Sequence, residues 1–358
     1  MNTALCIREA TPAEVTHWDD LVTRFSNHRI FHKQAWLQFL EASEGLKPLY
    51  LVFEKDKDLV GCLPGLLFSK CGFRVFGSPF PGWQTHSMGP VFELGRTCTH
   101  EIFSQLIPFL EAVHHVHHIE VACTDLDAND MERLGFRGTP QPTYRAPLTP
   151  GDEEKTMRHM EKSVRHSVKR ALKLGLTVEL DPGEDFVDDI YRQSKDVFIR
   201  GGAAIPYPKK RVLEWFRRGT ASGNLRCVSV LLPDKQTRIA TGMFLLDGKE
   251  ICLWIWATQF EYRWYSPTEL MTWTMMQKAM EAGCRTFDLA GRGKFKEKFG
   301  AELDTRVWRW LRSRYAWLAR ARDFAEKSYR WQQSVRGRLS RLTRRATAKP
   351  AAAASQPL

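Results

Sequence analysis

The chain has 358 residues, 43% of them hydrophobic and 26% charged, a globular composition long enough to bury two cores. Its 53 Lys and Arg outnumber 41 Asp and Glu, and the net charge of +12 draws anionic partners without choosing among nucleic acid, anionic lipid and phosphorylated sugar carriers. There is no run of eighteen apolar residues, so no spanning helix is expected, and Met1 to Ala10 lacks the apolar stretch of a signal peptide. The apolar residues Phe31, Trp36, Phe39 and Leu40 give Ile30 to Glu41 a helical period. Leu49 to Glu54 and Leu59 to Phe68 read as strands joined by a turn, and the Gly- and Pro-rich Gly77 to Pro90 reads as loop. A helix over Glu101 to His115, a strand over Ile119 to Cys123 and a short helix over Asp130 to Leu134 follow. Four prolines between Thr139 and Asp152 mark a lobe boundary.

Beyond it, one helix is predicted from Glu153 to Leu174, stopped by Gly175. Thr177 to Leu180 is a strand, and Phe186 to Ile199 and Lys209 to Arg218 are helices. Three strands, Leu225 to Leu232, Ile239 to Asp247 and Glu250 to Ala257, precede a helix over Pro267 to Ala282 with Ser266 at its cap. Thr286 to Ala290 is a last strand. Ser313 to Arg345, with arginines between Trp317, Phe324, Tyr329 and Trp331, reads as a basic aromatic helix for a membrane interface, for tRNA, or for packing on the second lobe. The Ala- and Pro-rich Ala346 to Leu358 reads as a disordered tail. The order of elements repeats, so the expectation is a mixed α/β (α+β) chain of two lobes, residues 1–148 and 149–312, then a helix over 313–345. A Gly-x-Gly-x-x-Gly turn is absent, which disfavours a dinucleotide-binding fold.

On a helical wheel Met157, Met160, Val164, Val168 and Leu172 form a core row, and Arg158, Lys162, Arg165, Lys169 and Lys173 a cationic row suited to phosphate or carboxylate. Trp254 and Trp256 alternate along a strand, which places both on one face, in the core or lining a cleft. The eight cysteines form no CxxC pair and read as reduced, buried thiols; the run His114, His115, His117, His118 lacks a completing carboxylate or cysteine, so no metal site is assigned.

Lys162 to Ala171 ending at Gly175, the segment Pro267 to Met280, then Gly283, Phe287-Asp288 and Phe295-Lys296-Glu297-Lys298-Phe299-Gly300 resemble the second lobe of FemAB-like transferases. Phe31-His32 with Ala35-Trp36, and Gly61-Cys62-Leu63-Pro64, resemble its first lobe, so the likeness covers roughly residues 25 to 312. The resemblance implies tandem GNAT-like lobes with largely antiparallel sheets flanked by helices. It also implies an N-acyltransferase that moves an acyl group from acyl-CoA to an amine on an anionic envelope precursor, a lipid- or nucleotide-linked sugar or peptidoglycan unit. It puts Lys296 in the donor–acceptor cleft, where the bare spacing allows a solvated charge between Phe295 and Phe299. Asp288, near the same loop, takes a proton, orients Lys296 or bonds a backbone amide. Arg200, in a flexible Gly-rich loop after a helix, corresponds to an arginine that contacts the acceptor; Lys162, Arg165 and Lys169 of the cationic row and Trp256 complete the expected substrate-binding residues. The stretch equivalent to the family's pyrophosphate loop, Tyr262 to Pro267, has no glycine, which keeps aminoacyl-tRNA open as donor. A cytoplasmic location, peripheral on the inner membrane face, goes with these substrates. The rival from another class is a non-catalytic binder of nucleotide or anionic lipid that kept the fold.

Overall fold

The computed structural model describes residues 4–347. Strand β1 (Cys6–Glu9) leads through the short helices α1 (Pro12–Thr16) and α2 (Trp18–Thr23) to α3 (Gln34–Glu44). The Thr11 hydroxyl accepts from Glu14 N while the Glu14 carboxylate accepts from Thr11 N, a reciprocal cap that starts α1. The hairpin β2 (Lys47–Lys55) and β3 (Asp58–Lys70) is followed by β4 (Phe73–Ser78), β5 (Val91–Phe92) and α4 (Thr99–Val113). Then come β6 (Val116–Cys123), α5 (Ala128–Arg133) and β7 (Arg137–Pro140). The second half runs β8 (Thr143–Pro147), α6 (Glu153–His159), α7 (Lys162–Lys173), β9 (Thr177–Leu180), α8 (Phe186–Gly201) and α9 (Lys209–Ala221). It continues with β10 (Leu225–Leu231), β11 (Arg238–Leu246), β12 (Glu250–Thr258), α10 (Pro267–Glu281), β13 (Thr286–Asp288), β14 (Glu302–Asp304), β15 (Trp308–Ser313) and α11 (Ala316–Thr347).

The strands form two sheets with the orders β1-β2-β3-β4-β6-β15-β7 and β9-β10-β11-β12-β13-β8-β14, and β5 adds to β3. The orders match strand for strand. Each sheet has one parallel pair at the same place, β4 with β6 and β12 with β13. The last strands are exchanged: β8 leaves the first half to pair with β13, and β15 returns from the second half to pair with β6. A division at residue 148 therefore cuts across the sheets, because Thr143–Pro147 lies before it and belongs to the second sheet. The cause is local: Pro140 and Pro142 keep the link between β7 and β8 extended, so the two cannot fold back as a hairpin.

Three apolar clusters fill the molecule. One lies between the first sheet and α4, and one between the second sheet and α7 with α10. The middle cluster is shared: Trp36 and Phe39 of α3 meet Trp215 of α9 and Trp254 of β12, with ring centroids 4.7 Å apart for Trp36–Trp215 and 6.2 Å for Trp36–Trp254. Edge-to-face pairs of this kind contribute about 0.5–1.5 kcal/mol each beyond their buried area, so the lobes form one body.

Three expectations change. The helix predicted over Glu153 to Leu174 is two helices, because Met160 turns extended (ψ 152°) and Glu161 N bonds Lys298 O at 2.9 Å, which leaves Arg158 on α6, apart from the cationic row. The buried row of α7 is Val164, Val168 and Ala171, and Leu172 stands in solvent. Cys62, Cys123, Cys227, Cys252 and Cys284 are buried, as expected, but Cys6, Cys71 and Cys98 are exposed.

Helix α11 packs on both lobes rather than on the second alone. Arg322 Nε donates to the fully buried Glu120 at 2.9 Å, and the carboxylate also meets His118 Nε2 at 3.0 Å and Arg309 at 3.4 Å. His118 places its other ring nitrogen 2.7 Å from Ser313 Oγ. At Gly337 a Cβ would lie 2.2 Å from Gly202 O, so only glycine lets the helix approach this closely. Of the expected tail, Ala346 and Thr347 continue the helix, and 348–358 lie outside the described residues.

Candidate active site between the lobes

β12 and β13 pair in parallel only from Glu250–Thr286 to Cys252–Asp288. Past that point β13 ends while β12 runs on to Thr258, and a wedge opens between them. A bulge shapes the wedge. Met243 faces Ile255 and Phe244 faces Leu253, which leaves Trp254 as the extra residue of β12. The extra residue breaks the alternation, so Trp254 enters the shared middle core while Trp256 packs toward the outer cluster, stacked on Phe295 at 6.1 Å. The two tryptophans expected on one face thus lie on opposite ones.

A cavity of about 290 Å³ lies at the wedge, lined by Gln84, Thr85 and His86 of the β4–β5 loop and by Cys252, Trp254 and Ala290. Around it, Gln84 Oε1, His86 Nε2, Trp254 Nε1 and Asp288 Oδ2 are buried without a hydrogen-bond partner among the described residues. An unsatisfied buried polar group costs about 1–3 kcal/mol, so four around one site mark a place where water or a ligand supplies both donors and acceptors.

Asp288 is 1% exposed; its Oδ1 accepts from Thr143 Oγ1 and from Ala290 N at 2.8 Å. The backbone-amide role is therefore real, and it leaves Oδ2 over. Lys296 is 6% exposed and not a solvated charge: its ammonium donates to Ala290 O and Gly291 O and closes the loop after β13. Burial lowers the Lys296 pKa, with Asp288 opposing. Burial also lowers the pKa of His86; Asp288 pulls the other way, and Arg29, Arg145 and Arg309 reinforce the shift. Arg29 of the first lobe lies 3.5 Å from Glu250 at the base of β12, where Arg145 of β8 also pairs with that carboxylate.

None of the sequence-predicted site residues lines the cavity itself: Asp288 and Lys296 reach its edge through their bonds to Ala290, and the others stand outside it. Helix α7 bridges the loops that follow the two diverging strands, through Glu161 N to Lys298 O at one end and Arg170 to Ser266 Oγ (2.9 Å) at the other. Lys162 and Lys169 are exposed along it and Arg165 half-buried, and none lines the wedge. Arg200 is not in a loop but in the last turn of α8, held by Asp196 at 2.8 Å and Thr258 O at 3.3 Å, with Phe260 under its guanidinium at 4.6 Å. Ser266 takes a left-handed conformation (φ 59°) and makes no side-chain cap to α10. Gln84, His86 and Arg29 were not legible in the sequence, because an aperiodic Gly/Pro loop gives no facing; the only signal was the polar run Gln84-Thr85-His86-Ser87 between Trp83 and Met88. A larger depression of about 710 Å³ on the first lobe is bordered by Glu101, Asp125, Asp127 and Asp130, the wrong sign for an anionic substrate.

Residues 158–299 match the family model of the acetyltransferase (GNAT) domain. No curated protein matches the sequence. Among solved structures, FemX superposes with a TM-score of 0.66 at 14% identity, over 85% of this chain and 96% of its own. The fold is the FemAB-like tandem GNAT fold. A tandem GNAT protein from the clavulanic acid biosynthesis pathway, solved without AcCoA, gives a TM-score of 0.55 at 10% identity over 87% of this chain and 99% of that one. The C-terminal domain of a protein named as a lysylphosphatidylglycerol synthetase from Agrobacterium fabrum gives 0.50 at 12% identity, over 90% and 95%. In this tandem GNAT chain the family match takes in α7, β12, Asp288 and Lys296, while His86 and Gln84 come from the other lobe.

Proposed function

We propose that the chain is an N-acyltransferase that moves an acyl group from acyl-CoA to an amine on an anionic cell-envelope polysaccharide or peptidoglycan precursor, on the cytoplasmic side of the membrane. The observation that carries the reading is the wedge between β12 and β13, walled by both lobes and ringed by four unpartnered polar atoms. At about 290 Å³ it takes a carbonyl and an amine, with the rest of each substrate outside. The amine nitrogen bonds to the acyl carbon, the carbon–sulfur bond breaks, and the proton released by nitrogen passes to His86 Nε2 and on to the departing sulfur. Burial holds His86 neutral, as a proton acceptor must be. Trp254 Nε1 and the Lys296 ammonium serve the developing oxyanion, and Asp288 Oδ2 orients the amine. Lys162, Arg165 and Lys169 of α7, with Arg200 of α8 bonded to the end of β12, meet the acceptor's negative charges, and Trp256 with Phe295 walls the approach. The likeness to FemX supports an envelope acceptor.

A second reading keeps the reaction and replaces the donor by aminoacyl-tRNA. It is favoured by the loop before α10, which has no glycine, is pinned by Arg170 and is filled by Trp264 stacked on Tyr265 at 3.7 Å. Ribonuclease treatment of a cell-extract assay separates the two: transfer that survives it comes from acyl-CoA. The central test is mass spectrometry of envelope glycans and peptides from a deletion strain. One missing acyl or aminoacyl mass is expected, restored by the wild-type gene; unchanged envelopes would leave a non-catalytic binder. Reversing charge with Lys162→Glu and Arg165→Glu is expected to raise the acceptor KM about tenfold and flatten its salt dependence, with kcat nearly unchanged. Kinetics insensitive to both changes would remove α7 from acceptor binding.

A further inference from the structure

We propose that α11 is a docking helix that lays an aromatic stripe on an anionic lipid surface. Trp317, Phe324 and Trp331 are 53%, 73% and 68% exposed. They recur every seven residues, which places them within about 40° of one another along roughly 21 Å of helix. Arg320 and Lys327, each three residues past a ring, are exposed beside the stripe, and the exposed Arg314 and Arg336 flank its ends. The helix carries nine Arg and Lys against Asp323 and Glu326. Its other side is committed to the protein through Arg322 on Glu120 and Gly337 on Gly202, so the stripe faces outward on a fixed support. The Phe73 edge, 5.1 Å from Trp317, steadies the first ring.

Aromatic rings settle at the boundary between lipid headgroups and acyl chains, and neighbouring cations reach the phosphates. Two other occupants fit less well. In a helix pair the stripe would form a seam with either Arg320, Lys327 and Ser334 or Ala321, Ser328 and Val335, and neither row supplies large apolar partners throughout. For RNA the rings stand about 10 Å apart on a convex rod, too far to stack on successive bases in a groove. The docking is independent of the chemistry at the wedge and survives if that reading fails.

Flotation of the full-length protein with vesicles of phosphatidylcholine, alone or with a third phosphatidylglycerol, tests it. The expected result is at least roughly tenfold more bound protein on the anionic vesicles, reduced but not abolished by salt. A Trp317→Ser, Phe324→Ser, Trp331→Ser variant is expected to lose that binding while its thermal unfolding matches the wild type. If that variant unfolds early, Arg320→Glu with Lys327→Glu carries the test and must weaken binding by a similar factor. Wild-type protein that stays with the lipid-free fraction overturns the proposal, as does a folded triple variant that floats as well as wild type. A stripe-dependent retardation of tRNA, or a stripe-dependent dimer, without flotation overturns it as well.

Discussion

Lys296→Met is expected to lower acyl transfer by roughly two to three orders of magnitude with little change in substrate KM, the size seen when one oxyanion donor is lost. Methionine fills the same volume but offers no proton, so the loop carbonyls of Ala290 and Gly291 lose their donor. That loss costs about 1–3 kcal/mol of stability, and thermal unfolding therefore has to be read beside the rates. A rate that falls only in proportion to the folded fraction would make Lys296 a strut of the loop. Lys296→Arg, which keeps the charge in a longer side chain, separates charge from fit. The pH profile adds an independent check through His86. Its pKa is lowered by burial, so the base form persists below neutral pH, and the rate should hold on the acid side until the pH falls below its ordinary value of 6.5. His86→Gln should remove that acid limb along with most of kcat. An unchanged acid limb would assign the base elsewhere.

Glu120→Gln is expected to destabilise the protein by about 3–5 kcal/mol, because it leaves the Arg309 guanidinium buried without its counter-charge and takes one carboxylate from Arg322, which keeps Glu326 and Asp323. Urea unfolding measures this directly, and a change under about 1 kcal/mol would mean that both arginines reach water in solution. The sign of the pH dependence follows from the same contacts. Burial alone would raise the Glu120 pKa, but His118 and Arg322 outweigh it and the carboxyl lies below its ordinary value of 4.5. The stabilisation is therefore complete above about pH 4.5 and drains away as the pH falls through the folded value. Acid unfolding of the variant should lack that component.

The element order and the doubled architecture were readable because periodicity, caps and turns act locally. The Pro267 start of α10 and the hairpin of β2 with β3 stand where their residues put them. What escaped was non-local. Trp254 and Trp256 have the spacing of one strand face, and only the pairing with β11 reveals the bulge that separates them. Met160 has an ordinary helical side chain, and the break there comes from the Lys298 carbonyl in another segment. At the candidate site, Lys296 and Asp288 were singled out through a motif, whereas His86 and Gln84 gain their place only from the other lobe folding over them.

The exchange of β8 and β15 sets a schedule for biosynthesis. While the ribosome is still making the second half, β6 has an open edge, since the strand that covers it, Trp308–Ser313, is made only after every strand of the second sheet. The nascent N-terminal half thus waits, with paired sheet on one side and a bare edge on the other, a state that invites chaperones or aggregation. Once the crossing strands lock, neither half can be released by a single hinge. In the acyltransferase proposed above, substrates therefore enter the wedge by movement of the loops at its mouth, not by the halves swinging apart.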